Sequence, residues 1–264
     1  MIEIESGFTG TTYPIANPRI AAMSIIGTVA ASSEATGFEA VNANNDLTWM
    51  AWEPTSVPAT WTLTFSSATV SYVAIAAHNC GSAGATVAVQ RWTGSAWSTV
   101  ATHVPIDDSP ILFLLTQRTA QTTFRVRVTN AIAQIGVIRM GDVLELPQPA
   151  RYTGSLPFNE ASQDVFSDNL SDGGHVLDSF KTRIAVPVSM QVDNLSETWW
   201  EANIPALAAH IGNRLPIFMA DRPTENPKSV AFGRTDKPLQ SERQRPVALA
   251  SRQLNISLTG YNPA

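Results

Sequence analysis

The sequence predicts a mainly β protein in two parts, the second carrying one amphipathic helix. Three observations lead there. Charged residues make up only 15% of the 264 residues, so Ser, Thr, Asn, Gln and Ala must supply much of the surface. Short segments rich in β-branched and aromatic residues recur between turn formers along residues 1–146, the rhythm of a β-sandwich. A helical apolar period occurs in one stretch only, near residue 200.

The strands of the first part follow in order. Trp61-Thr62-Leu63-Thr64-Phe65 alternates apolar and polar residues, which puts its Trp, Leu and Phe on one buried face. Ser71 to Ala77, Thr86 to Trp92, Ile111 to Leu115, Phe124 to Val128 and Ile135 to Met140 read as further strands, with no long helix among them. Leu146-Pro147-Gln148-Pro149 then forces extended backbone and interrupts any ladder. Composition changes at the same place. Residues 1–146 hold six Arg, no Lys and ten acids, whereas residues 147–264 hold three Lys, eight Arg and twelve acids. The expected domains are therefore residues 1–146 and residues 147–264.

In the second part the helix is predicted from about Ser196 to Ile211. Trp200, Ile204, Leu207, Ala208 and Ile211 follow the spacing of a buried stripe. Pro205 predicts a kink, or a second short helix beginning there, and Gly212-Asn213 supplies the stop. Trp199 lies about 100° round the helix from Trp200, off the centre of the stripe, and is the candidate for a subunit contact. Thr182 to Val192, Pro216 to Ala220, Val230 to Arg234 and Gln253 to Thr259 read as strands. In the last of these, Leu254, Ile256 and Leu258 point one way.

Chemistry is sparse. The net charge of -5 argues against nucleic acid or anionic membrane as the main partner. The N-terminus has no basic segment ahead of an apolar one, and no apolar run approaches the length of a membrane span, so cytosolic synthesis and no membrane insertion are expected. A single cysteine, Cys80, excludes an intramolecular disulfide. Phosphate-loop, dinucleotide, zincin and hydrolase-elbow motifs are missing, and His78, His103, His175 and His210 lack metal-ligand spacing. No catalytic residue, metal site or cofactor is assigned, and the chain is expected not to be an enzyme.

Four features remain to be weighed. His78 and Cys80 share a strand face and could form a thiolate–imidazolium pair, although a buried cysteine beside a loop histidine is the expectation. Asp107 and Asp108 sit between prolines and point to opposite sides of an extended chain, which favours a turn over an acid–base pair. Asn42, Asn44, Asn45 and Asp46 concentrate oxygens that suit either a calcium loop or Asx turns. Five of the seven tryptophans lie in the first part, where Trp61 belongs to the core and Trp49 and Trp52, in a loop-like segment, are the candidate ligand-binding residues.

The order of these pieces carries a resemblance. An Asn/Asp-rich loop ending in Thr48-Trp49 is followed by Trp61 to Phe65, Val70 to Asn79, the Val87-to-Trp97 hairpin turning at Gly94-Ser95-Ala96, Phe124 to Val128 and Ile135 to Val143. Over residues 15–145 this resembles the discoidin-like, galactose-binding-like jelly roll, without the disulfide that often staples such modules. With Asp107-Asp108-Ser109-Pro110-Ile111, Pro216-Ile217-Phe218-Met219-Ala220 and the closing Leu254 to Tyr261, the whole chain resembles the distal tail proteins of long-tailed bacteriophages. That resemblance implies a jelly roll followed by a tail-tube-like sheet or barrel domain. It also implies a homohexameric ring in the virion, joining the tail tube to the hub or tip, with the jelly roll outside as a docking or host-glycan module. The alternative is a carbohydrate-binding protein or receptor-binding tail component with no ring-forming role.

Overall fold

In the computed structural model, residues 1–9, 12–151, 158, 163–243 and 251–260 are described. The protein is mostly β. The first part forms β1 (Ile2–Ile4), β2 (Arg19–Ala21), β3 (Thr28–Ala31), a 3-10 turn (Ala40–Asn44), β4 (Ala59–His78) and the one-turn helix α1 (Cys80–Ala83). Then come β5 (Thr86–Trp92), β6 (Trp97–His103), β7 (Ile111–Thr129), β8 (Ile135–Gly141) and β9 (Leu144–Glu145). The second part forms β10 (Gln163–Leu170), β11 (Val176–Ser196), α2 (Glu197–Gly212), β12 (Ile217–Ala220), β13 (Val230–Thr235), β14 (Gln240–Arg243) and β15 (Ser251–Gly260).

Segments expected as separate strands prove to be halves of two long ones. β4 and β7 run antiparallel along their whole length, with register shifts between Thr64 and Tyr72. Such irregularities bend a strand and raise its twist, and Ala120 takes φ 54° at the matching place in β7. The bend divides one sheet into two leaves. The front leaf joins β3, Ala59 to Thr64 of β4, Thr123 to Thr129 of β7, β5 and β6. The back leaf joins β8, Tyr72 to His78 of β4, Ile111 to Leu114 of β7 and β1, which is parallel to β7. Trp61, Leu63, Phe65, Phe124, Val126 and Val128 of the front leaf meet Val73, Ile75, Ile111, Phe113 and Ile138 of the back leaf in one core.

The back leaf is buried on its other face too. Tyr72, Ala74, Leu112 and Leu114 point away from the sandwich core and pack against Phe218 and Phe232 of the second sheet, whose ring centroids are 4.5 Å apart. This explains the near-continuous apolar runs Val70 to Ala77 and Ile111 to Leu115, because a strand covered on both faces has no polar side to alternate with. β12 obeys the same rule, since Ile217 and Met219 face the helix side while Phe218 and Ala220 face the sandwich.

The second sheet runs β10-β11-β15-β13-β12-β2-β9, with β14 also on β15. Two of its strands, β2 and β9, precede Pro147 in the chain. β2 pairs with β9 through Arg19 and Ile20, and the buried Arg19 guanidinium ties the preceding loop to β2 by donating to the carbonyls of Tyr13, Pro14, Asn17 and Pro18 at 3.0–3.2 Å. Helix α2 closes the far face, burying Trp199, Trp200, Ile204, Leu207 and Ile211 against Val188, Met190, Leu254, Ile256 and Leu258. Its N-cap is Ser196, whose Oγ accepts from the Trp199 amide at 3.2 Å. Pro205 neither ends the helix nor starts a new one, because it sits on the exposed side, where water can satisfy the carbonyl it leaves unpaired. The molecule is thus four layers deep: front leaf, back leaf, second sheet and helix.

Candidate functional site

The cysteine–histidine pair is not arranged for nucleophilic chemistry. His78 Nδ1 accepts from the Cys80 amide at 3.2 Å, and Nε2 lies 2.9 Å from the Ser109 carbonyl, which can only accept. The ring is therefore held neutral with its proton on Nε2, and Nδ1 is spent on a backbone amide. Burial lowers the His78 pKa to about 4 and raises the Cys80 thiol to about 12, so neither carries charge near neutral pH.

A pH dependence follows. In the unfolded chain His78 has its ordinary pKa of 6.5, while in the fold it stays neutral down to about 4. Its contribution to stability is complete above pH 6.5 and declines as the pH falls through that window, because only the unfolded state takes up the proton. The loss should reach about 3 kcal/mol by pH 4. The buried Met1 amine, lowered to about 5 by desolvation, adds a slope of its own, so the measurement is a comparison of wild type with His78→Gln in urea titrations from pH 7 to 4. The wild type should show the steeper decline; parallel curves would refute the assignment.

Asp107 and Asp108 form a turn, as expected. Asp107 Oδ1 accepts from the Ser109 amide at 3.0 Å, and Asp108 Oδ1 accepts from the Ser82 amide of α1 at 3.0 Å. Two of the four side chains of the Asn/Asp loop have an oxygen engaged by the protein, and a third is tied through its amide nitrogen. Asn45 Oδ1 accepts from the Leu47 amide at 2.7 Å, Asp46 pairs with Arg139, and Asn42 is buried and donates to the Gly37 and Ala51 carbonyls. This is Asx-turn and ion-pair chemistry. Among the described residues no group of three or more His, Cys, Asp or Glu is placed to hold a metal ion.

The three singled-out tryptophans have different fates. Trp49 is 78% exposed, and Val41 and Leu47 of the same segment are exposed as well. Trp52 is fully buried, its Nε1 donating to the Ser33 carbonyl at 3.0 Å and its backbone pairing with Ile135, so its ring faces are closed to a ligand. Trp199, expected at a subunit contact, is 8% exposed within the single chain. The buried side of α2 is wide enough to take both tryptophans because Tyr13 and Leu144 pack against the same core.

Two adjoining grooves of about 250 Å³ each flank α2 and share Val143, Leu144 and Asn203. Their polar groups are turned to the protein itself. Glu145 accepts from the Thr12 and Tyr13 amides, Asp142 from Ser71 and Gln117, and Asn203 donates to the Trp199 carbonyl.

A more ligand-ready surface lies on the outer face of the front leaf, at residues the sequence reading left unassigned. Trp92 and Trp97 flank the Gly94 turn with ring centroids 5.4 Å apart, edge to face. The Arg125 guanidinium lies 4.1 Å over the Trp97 ring. Arg125 Nε donates to Gln90 Oε1 at 2.7 Å, and Gln90 Nε2 donates to Thr99 Oγ1 at 2.8 Å. Strand pairing explains the cluster, since Thr62, Arg125, Gln90 and Thr99 are successive register partners across β4, β7, β5 and β6.

No family model and no curated protein matches the chain. Solved structures similar to about half of it include carbohydrate-binding modules and a glycoside hydrolase. A pectin-binding module shares 14% identity at a TM-score of 0.40, over 46% of this chain and 93% of the module. The chitosan-binding module 1 of the chitosanase/glucanase from Paenibacillus sp. IK-5 shares 25% at 0.38, over 45% and 97%. The family 32 module of C. perfringens NanJ, in complex with galactose, shares 14% at 0.39, over 44% and 93%.

Proposed function

We propose that the protein is a non-catalytic structural subunit of a larger assembly, of the distal-tail kind found in long-tailed phages. It would be made in the host cytoplasm and built into the virion tail as a hexameric ring with tail-tube and tail-tip partners. In this reading the second sheet makes the contacts between copies, and the sandwich is a peripheral docking or glycan-binding module. The observation that carries it is the arm formed by β10 and the first half of β11. β11 is 21 residues long, about 69 Å at strand rise, and pairs with β15 only from Val186 onward. From Val176 to Ala185 its one partner among the described residues is β10. A two-stranded ribbon is marginal by itself in water, and this one has Val176 and Leu177 each 66% exposed near its turn, so it is suited to being completed by a neighbouring copy.

The test is the mass of the full chain in solution by light scattering, with negative-stain images of the same sample. The ring reading expects a species near six times 28.4 kDa that Val176→Asp with Leu177→Asp disperses to folded monomer. A monomer at all concentrations overturns it. The second reading, a carbohydrate-binding protein with no ring-forming role, is favoured by the Trp92, Trp97 and Arg125 cluster and would survive that result.

A further inference from the structure

We propose that the outer face of the front leaf binds a polysaccharide bearing carboxylates, a uronic-acid type of chain, with Trp97 and Trp92 as the ring platform and Arg125 and Arg127 as the anion contacts. The inference rests on reading the sandwich as a peripheral binding module and is independent of ring assembly.

Charge is the first argument. Arg125 and Arg127 are two apart on one strand and therefore share a face. Neither makes an ion pair among the described residues, and the only side-chain hydrogen bond of the two goes from Arg125 Nε to a neutral amide. None of the front-leaf segments contains an Asp or Glu: Thr28–Ala31, 59–65, Thr86–Trp92, Trp97–His103 and 123–129. In a chain of net charge -5, an acid-free sheet face with two adjacent guanidiniums is a local reversal of sign. Like charges side by side disfavour the bare face, and an anion between them removes that cost.

Preorganisation is the second. The bond from Arg125 Nε to Gln90, which is itself buried and tied to Thr99, anchors the guanidinium 4.1 Å over the Trp97 ring and leaves its terminal amino groups without a hydrogen bond among the described residues. A side chain already immobilised loses little entropy on binding. The row Thr62, Arg125, Gln90, Thr99 spans four strands, about 14 Å at ordinary strand spacing, with hydroxyls at its two ends. That combination of hydroxyl partners, flat aromatic surface and a fixed guanidinium fork matches a chain of sugar rings carrying carboxylates. A neutral glycan would leave both cations unanswered, and a nucleic acid would meet the net negative charge of the whole protein.

The experiment titrates the full chain with a hexamer of α-1,4-linked galacturonate and with its methyl ester, which keeps the rings and removes the charge. Tryptophan fluorescence and calorimetry give the affinity, at two salt concentrations. Saturable binding of the acid is expected, weakened by salt and at least about tenfold tighter than that of the ester. Arg127→Gln, which breaks no side-chain hydrogen bond or ion pair among the described residues, should cost about tenfold or more with an unchanged melting temperature, and Trp97→Ala should abolish the fluorescence response. Equal affinity for acid and ester, insensitivity to Arg127→Gln, tighter binding of a single-stranded oligonucleotide, or no binding of galacturonate, glucuronate and mannuronate oligomers would each overturn the proposal. Ring assembly is read from mass on the same samples, so either reading can fail without the other.

Discussion

Phe218→Ala is expected to lower the unfolding free energy by about 3–5 kcal/mol, as much as the loss of any core aromatic. Phe218 is 1% exposed, and its ring fills the seam where the back leaf of the sandwich meets the second sheet. Truncation would leave Tyr72, Leu112 and Leu114 facing a cavity, and neither sheet can collapse into it without breaking its own ladder. Phe232→Ala should cost a similar amount. The double variant should cost less than the sum, because the two rings touch at 4.5 Å and each single change already removes their shared contact. Urea denaturation followed by near- and far-ultraviolet dichroism measures all three. A defect below about 1 kcal/mol in both single variants would mean that the seam is looser than described.

The second large effect lies at the other end of the layer stack. Trp200→Ala should destabilise the protein by about 3–5 kcal/mol, and Trp199→Ala by a comparable amount. Both are less than 10% exposed and belong to one core with Ile204, Leu207 and Leu254. Trp200 additionally lies beneath the Arg252 guanidinium at 5.6 Å, and Arg252 pairs with Glu197 in the first turn of the helix. The sequence expectation was a division of labour, with Trp199 acting at a subunit contact and Trp200 in the core. The structure predicts parallel folding defects instead. Melting temperature and mass in solution, measured for both variants, decide between the two. A Trp199→Ala protein of full stability that no longer associates would restore the original expectation.

What was legible in the sequence, and what was not, follows one physical line. Local period was readable. The alternation from Trp61 to Phe65 put three side chains into the sandwich core, and the stripe from Trp200 to Ile211 is the buried side of α2. Continuity was not. Ser71 to Ala77 reads as a strand, but nothing local says that it continues the strand holding Trp61, because the bend is made by register shifts with β7 rather than by glycine or proline. Burial on two faces was visible only as a lack of alternation, which a helix core would share. β10 was missed, having few β-branched residues, and β2 and β9 are too short to carry a period.

Candidate site residues divided the same way. Trp49 and Trp52 stand in the same loop-like segment, and only the pairing of Trp52 with Ile135 decides that one is core and the other open to water. In Phe124-Arg125-Val126-Arg127-Val128 the arginines alternate with three buried apolar residues and so take the outer face. The neighbours of Arg125 were not legible, because Gln90 and Thr99 reach it through cross-strand register, which spans 35 residues of chain to Gln90.

The shared back leaf has a mechanical consequence. A load applied to the outer surface of the sandwich enters β4 and β7, which run unbroken from the front leaf into the back leaf, and reaches the second sheet through packed rings. Pulled lengthwise, those two strands strain many of their mutual hydrogen bonds at once instead of opening one after another. Residues 147–150 lie outside this path. The protein should therefore transmit tension as a stiff strut, yielding by rupture of a sheet and not by extension of a tether.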